Sequence, residues 1–288
     1  METRHFDLML PDPPTSGAIF ASPHSGRGYG DRFLTASQLD PHTLRSSEDA
    51  FVDKLIGEAP RLGVPLLVAH TPRAFVDLNR AADELDPALI HGIRRFAHNP
   101  RVTSGLGVIP RVVANGRAIY RGRLTLEEAQ SRLTEHWHPY HEALRGLLSS
   151  QRDRFGRVIL IDCHSMPHEA IEHHCQQMAR VPDVVLGDRF GASSDPDVVA
   201  VIEQVFESEG LAVARNTPFA GAYITQHYGR PSWSQSVVQV EIDRSLYMNE
   251  DTLVPHEGFA RMRHVMTRLI KEIAALARPD AQMPLAAE

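Results

Sequence analysis

Short apolar runs alternate with amphipathic segments along almost the whole 288-residue chain, and this alternation constrains the fold more than any other feature. The apolar runs are bounded by Gly, Pro or polar residues, which is typical of buried strands. The segments between them place apolar residues at helical spacing. Strands that alternate with helices predict an α/β fold with a central mixed, mostly parallel sheet and helices on both faces.

The predicted elements follow directly from these patterns. Strands are expected at Ala18–Ser22, Val64–Ala69, Val158–Ile161, Asp183–Leu186, Leu211–Ala214 and Val237–Ile242. Helices are expected at Asp49–Ala59, Thr125–Leu148, Asp195–Glu209 and Glu257–Ala277. Because no repeat, low-complexity linker or change of composition divides the chain, we expect a single domain over residues 1–288.

The composition excludes several classes of protein. The formal net charge is −6 and no dense basic run occurs, which disfavours nucleic acid as a partner. No apolar stretch approaches the roughly 18 residues of a membrane span, and Met1–Met9 lacks the apolar core of a signal peptide. Cys163 and Cys175 are too few for a disulfide framework. We therefore expect a reduced, cytoplasmic protein with no nucleic-acid or membrane partner, and the oligomeric state is left open.

Two of the 16 histidines stand where a ligand would be expected. His24 follows the first predicted strand, and His164 follows the strand at Val158–Ile161. Open α/β sheets bind ligands at the carboxyl ends of their strands, so two imidazoles delivered there can meet in space. Together with one carboxylate, for which Glu48 and Asp49 are the candidates, they would form a three-ligand zinc site. The alternative is that each histidine is a loop residue with one ordinary hydrogen bond.

Glu241 lies inside a strand that is otherwise almost entirely apolar. A carboxylate is costly to bury unless it is paired or functional. Alternation places Gln239 and Glu241 on one face of the strand and the valines and isoleucine on the other. One interpretation is an edge strand whose polar face meets water. The other is a general base directed into a cleft.

A short polar segment contains Asp77, Asn79 and Arg80, and Arg73 lies just upstream. An Asn-Arg pair can hold a substrate carboxylate through a bidentate guanidinium contact. Salt bridging at the surface between Asp77 and Arg80 is the alternative. The segment alone does not decide between these interpretations.

Two further segments contain weaker candidates for functional residues. Gly221, in the loop that begins at Asn216, permits close backbone contact with another group, and Thr225 follows it. Arg189 lies in the glycine-flanked segment Gly187–Gly191. Residues of these kinds are more often structural than functional, so both interpretations stay open.

Seven ordered segments together resemble the N-formylglutamate amidohydrolase (deformylase) family. They extend the resemblance over nearly the whole chain, and seven matches in order are far more specific than any single one. The segments are SPHSG at Ser22–Gly26, EDAFVDKL at Glu48–Leu55, DLNR at Asp77–Arg80, IDCHSMP at Ile161–Pro167, LGDRFG at Leu186–Gly191, NTPFAGAYIT at Asn216–Thr225 and VEIDRSLYM at Val240–Met248.

The family is similar to the zinc carboxypeptidases and aspartoacylase, which implies an α/β sheet of about eight strands with a metal at its carboxyl edge. The resemblance implies one zinc per chain, with another divalent metal as an alternative. His24 and His164 correspond to the imidazole ligands, and the acidic ligand falls in the Glu48–Asp49 pair. Asp49 is favoured and Glu48 is the alternative.

The resemblance also assigns the remaining roles. Glu241 corresponds to the general base that later acts as an acid, and Arg73 to the arginine that stabilises the oxyanion. Asn79 and Arg80 correspond to the pair that holds a substrate carboxylate. The implied substrate-binding residues also include Arg189, Gly221 and Thr225.

The activity that the resemblance implies is hydrolysis of N-formyl-L-glutamate, a small-molecule substrate, to L-glutamate and formate in histidine degradation. Two alternatives stay open. The same chemistry would serve another N-acyl amino acid, because the sequence does not define the acyl pocket. A non-catalytic binding protein on the same scaffold is the more distant alternative.

Overall fold

The structure is a computed structural model that describes residues 5–93, 99–175 and 181–279. Its strands are β1 (Phe6–Met9), β2 (Ala18–Ser22), β3 (Leu66–Ala69), β4 (Val158–Met166), β5 (Val184–Gly187), β6 (Val213–Arg215), β7 (Gln235–Asp243), β8 (Met248–Asn249) and β9 (Val254–Pro255). Its α-helices are α1 (Asp31–Ala36), α2 (Pro41–Arg45), α3 (Val52–Leu55), α4 (Pro100–Thr103), α5 (Leu126–Arg132), α6 (His138–Phe155), α7 (His168–Cys175), α8 (Pro196–Ser208), α9 (Tyr223–Tyr228) and α10 (Gly258–Leu276).

Seven of the described strands form one sheet in the order β1-β3-β2-β4-β7-β5-β6, against the eight or so that the resemblance implies. The pairs β2–β4, β4–β7 and β5–β6 are parallel, and β5–β7 is antiparallel. Strands β8 and β9 form a separate antiparallel pair. The predicted α/β class with a mixed, mostly parallel central sheet is confirmed, whereas the similarity to zinc carboxypeptidases stays a prediction.

Strands β4 and β7 lie at the middle of the sheet, and every residue of both is buried. The apolar first half of β4 has the composition expected of a strand covered on both faces. The prediction that this strand ends at Ile161 is wrong, because its pairing with β7 continues to Met166 opposite Asp243. His164 therefore lies within the strand and not beyond its end, and its position is fixed by the backbone ladder.

Two predicted helices differ in detail. The helix expected at Asp49–Ala59 is reduced to α3: it begins only after Phe51, which takes a left-handed conformation (φ 65°), and it already ends at Leu55. The helix expected at Thr125–Leu148 is α5 followed by a π-helical turn at Leu133–Trp137 and by α6. Its predicted cap is present, since the Thr125 hydroxyl accepts a hydrogen bond from the Glu128 N–H at 3.1 Å.

Contacts within the chain group into two compact units, each built from separate segments of sequence. The first contains Met1–Asp7, Ser22–Asp53 and Val68–Leu144, and the second contains Leu8–Ala21, Lys54–Leu67 and Arg145–Glu288. The single catalytic domain over residues 1–288 stays a prediction. Within the described part of the chain, no helix has both the length and the apolar character required to cross a membrane.

Candidate active site

His24 lies two residues beyond the end of β2 and is 2% exposed. Its Nε2 atom is 2.7 Å from Oδ1 of Asp77, and its Nδ1 atom is 3.4 Å from Oδ2 of Asp49. A carboxylate on one ring nitrogen orients an imidazole and makes its other nitrogen more basic, which is typical of histidines that bind a metal. The Asp49 N–H also donates to the His24 carbonyl at 3.0 Å, which ties the two residues together.

Asp77 is buried, so the prediction of a surface salt bridge with Arg80 is wrong. Burial alone would raise the pKa of the Asp77 carboxyl, but the charges of His24, Arg80 and Arg73 and the His24 hydrogen bond hold this pKa well below its usual range. Arg73 donates from Nε to Asp77 Oδ2 at 3.2 Å, and its Nη1 lies 3.8 Å from Asp49 Oδ1. Arg73 therefore lies beside both carboxylates, and its role at an oxyanion stays a prediction.

Glu48 and Asp49 are adjacent and both buried, but their partners differ. The Glu48 carboxylate accepts from Arg45 Nε at 3.1 Å and from Nη2 at 3.2 Å. Burial raises the pKa of Glu48 even though Arg45 acts to lower it. Because Glu48 is held by Arg45 while Asp49 faces His24, the geometry favours Asp49 as the acidic metal ligand.

Arg80 is held inside the protein by carbonyl groups. Its Nε donates to the Leu106 carbonyl at 3.1 Å, and its Nη1 donates to the Asn79 carbonyl at 2.9 Å. Burial lowers the pKa of Arg80, and the charge of Asp77 opposes this shift. In residues 5–93, 99–175 and 181–279, no carboxylate forms an ion pair with Arg80. A buried guanidinium that carbonyl groups hold in place and that forms no ion pair is preorganised to bind an anionic group.

In the second unit, one face of β4 and β7 carries two pairs of polar residues. Asp162 is in register with Gln239, and His164 is in register with Glu241. Asp162 Oδ2 is 3.0 Å from His164 Nε2, and Gln239 Nε2 donates to Glu241 Oε1 at 2.7 Å. Because β7 lies between β4 and β5 and Glu241 is 9% exposed, the edge-strand alternative for Glu241 is wrong.

The weaker candidates for substrate binding, Gly221, Thr225 and Arg189, lie in the second unit. Gly221 has φ 101°, and a Cβ atom there would come within 2.4 Å of Thr225 Oγ1, so this turn requires glycine. The buried Thr225 hydroxyl donates to the Ala222 carbonyl at 2.8 Å. Arg189 is half-buried with φ 55°. Their part in substrate binding stays a prediction.

Three of the predicted residues come together as a group of potential metal ligands. Ligand atoms of His24, Asp49 and His164 all lie within 4.8 Å of one another, and all three residues are buried. Two imidazoles and one carboxylate are a donor set that suits zinc with an open coordination position. Each imidazole also has a buried carboxylate at one ring nitrogen, Asp77 for His24 and Asp162 for His164.

The supporting carboxylates were missed in the sequence, although one signal was present. Asp162 precedes His164 by two residues on a strand, a spacing that places both side chains on the same face. No sequence pattern predicts the contact between Asp77 and His24, which are 53 positions apart. Gln239 was placed on the same face as Glu241, but its hydrogen bond to that carboxylate was not predicted.

A mostly parallel sheet, a buried group of potential metal ligands and a strand-borne glutamate are features of a hydrolase with an α/β fold. The family model for N-formylglutamate amidohydrolase matches residues 16–248. The chain therefore belongs to the N-formylglutamate amidohydrolase family, and the resemblance seen in the sequence is confirmed.

Individual relatives agree with this assignment. The chain is 32% identical over 267 residues to an N-formylglutamate deformylase of Pseudomonas aeruginosa, covering 90% of this chain and 93% of the relative. It is 31% identical over 237 residues to an N-formylglutamate deformylase of Pseudomonas putida, covering 81% and 82%. The crystal structure of N-formylglutamate amidohydrolase from Ralstonia eutropha JMP134 superposes with a TM-score of 0.89 at 37% identity, covering 94% and 98%.

Proposed function

We propose that this protein hydrolyses the amide bond of N-formyl-L-glutamate to L-glutamate and formate, with one zinc ion held by His24, Asp49 and His164. The observation that carries the proposal is the buried group of two imidazoles and one carboxylate with ligand atoms within 4.8 Å. The substrate is taken from the relatives, which are N-formylglutamate deformylases. Another divalent metal would suit the same donors. A cytoplasmic location and a place in histidine degradation stay predictions.

His24, Asp49 and His164 would hold the zinc ion, which would supply Lewis-acid activation of a water molecule and of the formyl carbonyl. Glu241 accepts a proton from the attacking water and later delivers it to the amide nitrogen, so that the C–N bond breaks to give a neutral amine. The water oxygen and its second proton remain on the formyl carbon as formic acid, which releases that proton to the amine or to solvent and leaves as formate. The Arg73 guanidinium stabilises the negative charge that develops on the formyl oxygen, an interaction worth about 3 kcal/mol of barrier.

Substrate binding is assigned to positive charges and to a close backbone contact. Asn79 and Arg80 hold one substrate carboxylate, because Arg80 is preorganised and lacks a carboxylate partner among the described residues. Arg189 is the second cation, and with Arg80 it binds the two carboxylates of the substrate. Gly221, in the loop that follows β6, and Thr225, in α9, are assigned to the same binding site by the family resemblance.

The activity is tested with zinc-loaded protein and four substrates: N-formyl-L-glutamate, N-formyl-L-glutamine, N-formyl-L-methionine and N-acetyl-L-glutamate. Release of the primary amine is measured. We expect the highest kcat/KM with N-formyl-L-glutamate. A higher kcat/KM with N-acetyl-L-glutamate would assign the same chemistry to another acyl group. No amine release from any of them would contradict hydrolysis and favour a binding protein.

Asp77→Asn is expected to weaken zinc binding by about 10- to 100-fold, because the neutral amide no longer orients and polarises the His24 ring. Competition with a chromophoric chelator measures the affinity. Asp83→Asn, at an exposed position of the first unit, is the matched control and should bind zinc like the unmodified protein. Equal zinc affinity in the two variants would show that Asp77 does not support a metal ligand.

A further inference from the structure

The long helical run that begins at Leu126 contains a π-helical turn, at Leu133–Trp137, between α5 and α6. In this turn the His138 N–H donates to the Leu133 carbonyl, five residues earlier instead of the four of an α-helix. Such a turn accommodates one extra residue within a helix and is frequent at functional sites. The extra residue changes which side chains share one face of the helix.

Arg132, Trp137 and His141 share one face because of this turn. In a regular α-helix, residues five positions apart point about 140° away from each other. The extra residue gives Arg132 and Trp137 the relation of an i, i+4 pair, and His141 follows Trp137 by four positions. All three side chains are buried, and Arg132 Nη1 donates to the Phe75 carbonyl at 3.4 Å.

Trp137 and His141 donate hydrogen bonds to the polar segment that contains Arg80. Trp137 Nε1 donates to the Arg80 carbonyl at 2.9 Å, and His141 Nε2 lies 2.9 Å from the Leu78 carbonyl oxygen. Because a carbonyl group only accepts, His141 Nε2 carries the proton of this bond. The indole and imidazole rings also pack together, with their centroids 4.0 Å apart. The two donors therefore support each other.

These two hydrogen bonds fix the carbonyl groups on either side of the one that holds the Arg80 guanidinium. The central carbonyl, that of Asn79, accepts from Arg80 Nη1 at 2.9 Å. His141 binds the carbonyl before it, and Trp137 binds the carbonyl after it. Residues 78–80 form a turn, so no helical or strand ladder fixes their backbone. The direction of the guanidinium therefore depends on side chains from the helical run.

We propose that Trp137 and His141 are positioning residues for Arg80, and that the π-helical turn brings both donors to its segment. This inference rests on the proposed function, in which Asn79 and Arg80 hold a substrate carboxylate, and adds to it the residues that direct this contact. A guanidinium binds a carboxylate through two parallel hydrogen bonds only when its plane is correctly oriented. Loss of either donor should therefore weaken substrate binding and leave the chemical step unchanged.

The first test measures kcat and KM for N-formyl-L-glutamate with zinc-loaded protein. Trp137→Phe keeps an aromatic ring but removes the donor, so we expect KM to rise about tenfold while kcat changes by less than about twofold. Trp233→Phe alters an exposed tryptophan of the second unit and should leave both constants unaltered. An unchanged KM in folded Trp137→Phe, or a loss of kcat alone, would overturn the inference for Trp137.

Two variants of His141 separate its hydrogen bond from its packing. His141→Leu fills the space without a donor, so KM should rise about tenfold. His141→Gln places an amide N–H near the position of Nε2 and should keep KM within about threefold of the unmodified value. His264→Leu, at an exposed position of α10, is the control. Equal KM values for His141→Leu and His141→Gln would overturn the role of the His141 hydrogen bond.

A double-mutant cycle with Arg80→Met determines whether Trp137 acts through Arg80. Arg80→Met should raise KM, and Trp137→Phe should then add less than about a twofold change, because the group that it positions is gone. A further rise as large as in the unmodified protein would overturn the inference, since Trp137 would then act independently of Arg80. If Trp137→Phe yields no folded protein, the His141 variants and their own cycle with Arg80→Met carry the test.

Failure of the proposed function gives different results. An unchanged KM in Arg80→Met would remove Arg80 from substrate binding, and no turnover by the unmodified protein would contradict hydrolysis. Neither result is produced by a Trp137 or His141 that merely fills space, because both concern proteins in which these two residues are intact.

Discussion

Glu241→Gln is expected to lower kcat for N-formyl-L-glutamate by at least about 100-fold, while the protein keeps about one zinc per chain. The amide has nearly the shape of the carboxylate but cannot accept a proton from water or return it to the departing nitrogen. Glu241 is 9% exposed and in register with His164, one of the proposed metal ligands. Steady-state kinetics and elemental analysis of the same sample measure both quantities.

Glu272→Gln is the matched control for this change. Glu272 is exposed on α10 in the second unit, so its loss of charge should leave kcat unaltered. A Glu241→Gln protein with full turnover would remove Glu241 from the proton transfer. A variant that lost its zinc together with its activity would instead place Glu241 in metal binding.

His164→Ala is expected to reduce the zinc content to below about one tenth of an ion per chain and to abolish turnover. It removes one of three donors, and the other two cannot retain the metal at ordinary concentrations. His24→Ala should do the same, because both histidines belong to the group within 4.8 Å. Elemental analysis after gel filtration in metal-free buffer gives the zinc content.

The control for loss of a histidine is His91→Ala, because His91 is exposed. It should keep both zinc and activity. His164→Ala also leaves the buried Asp162 carboxylate without its imidazole partner, which destabilises a protein interior by roughly 3–5 kcal/mol. Circular dichroism must therefore show a folded variant. Folded His164→Ala with unchanged zinc content would contradict the ligand assignment.

The strands that position the site were predictable because each one is a continuous apolar run in the sequence. The apolar runs before His24 and before Asp162 indicate buried strands, and parallel strands bring their carboxyl ends to one edge. The same reasoning placed Gln239 and Glu241 on one face of a strand. The fold class and the two histidine ligands could therefore be predicted from these patterns, whereas the preference for Asp49 over Glu48 came from the family resemblance.

The missed features depend on contacts that sequence spacing does not encode. β4 continues through polar residues to Met166, because its ladder with β7 supplies backbone hydrogen bonds regardless of side-chain polarity. The helix after Asp49 begins late because Phe51 is left-handed, which no helical propensity predicts. The Asp77–His24 hydrogen bond joins residues 53 positions apart, so only tertiary structure reveals it.

Zinc reconstitution of chelated protein tests metal-dependent deformylation most directly. The protein is stripped with a chelator, zinc is added in known amounts, and the initial rate of N-formyl-L-glutamate hydrolysis is recorded. We expect no turnover without metal and a linear rise that saturates at about one equivalent per chain, since three donors form one site. Full turnover of the stripped protein, with no response to added zinc, would contradict a metal-dependent hydrolase.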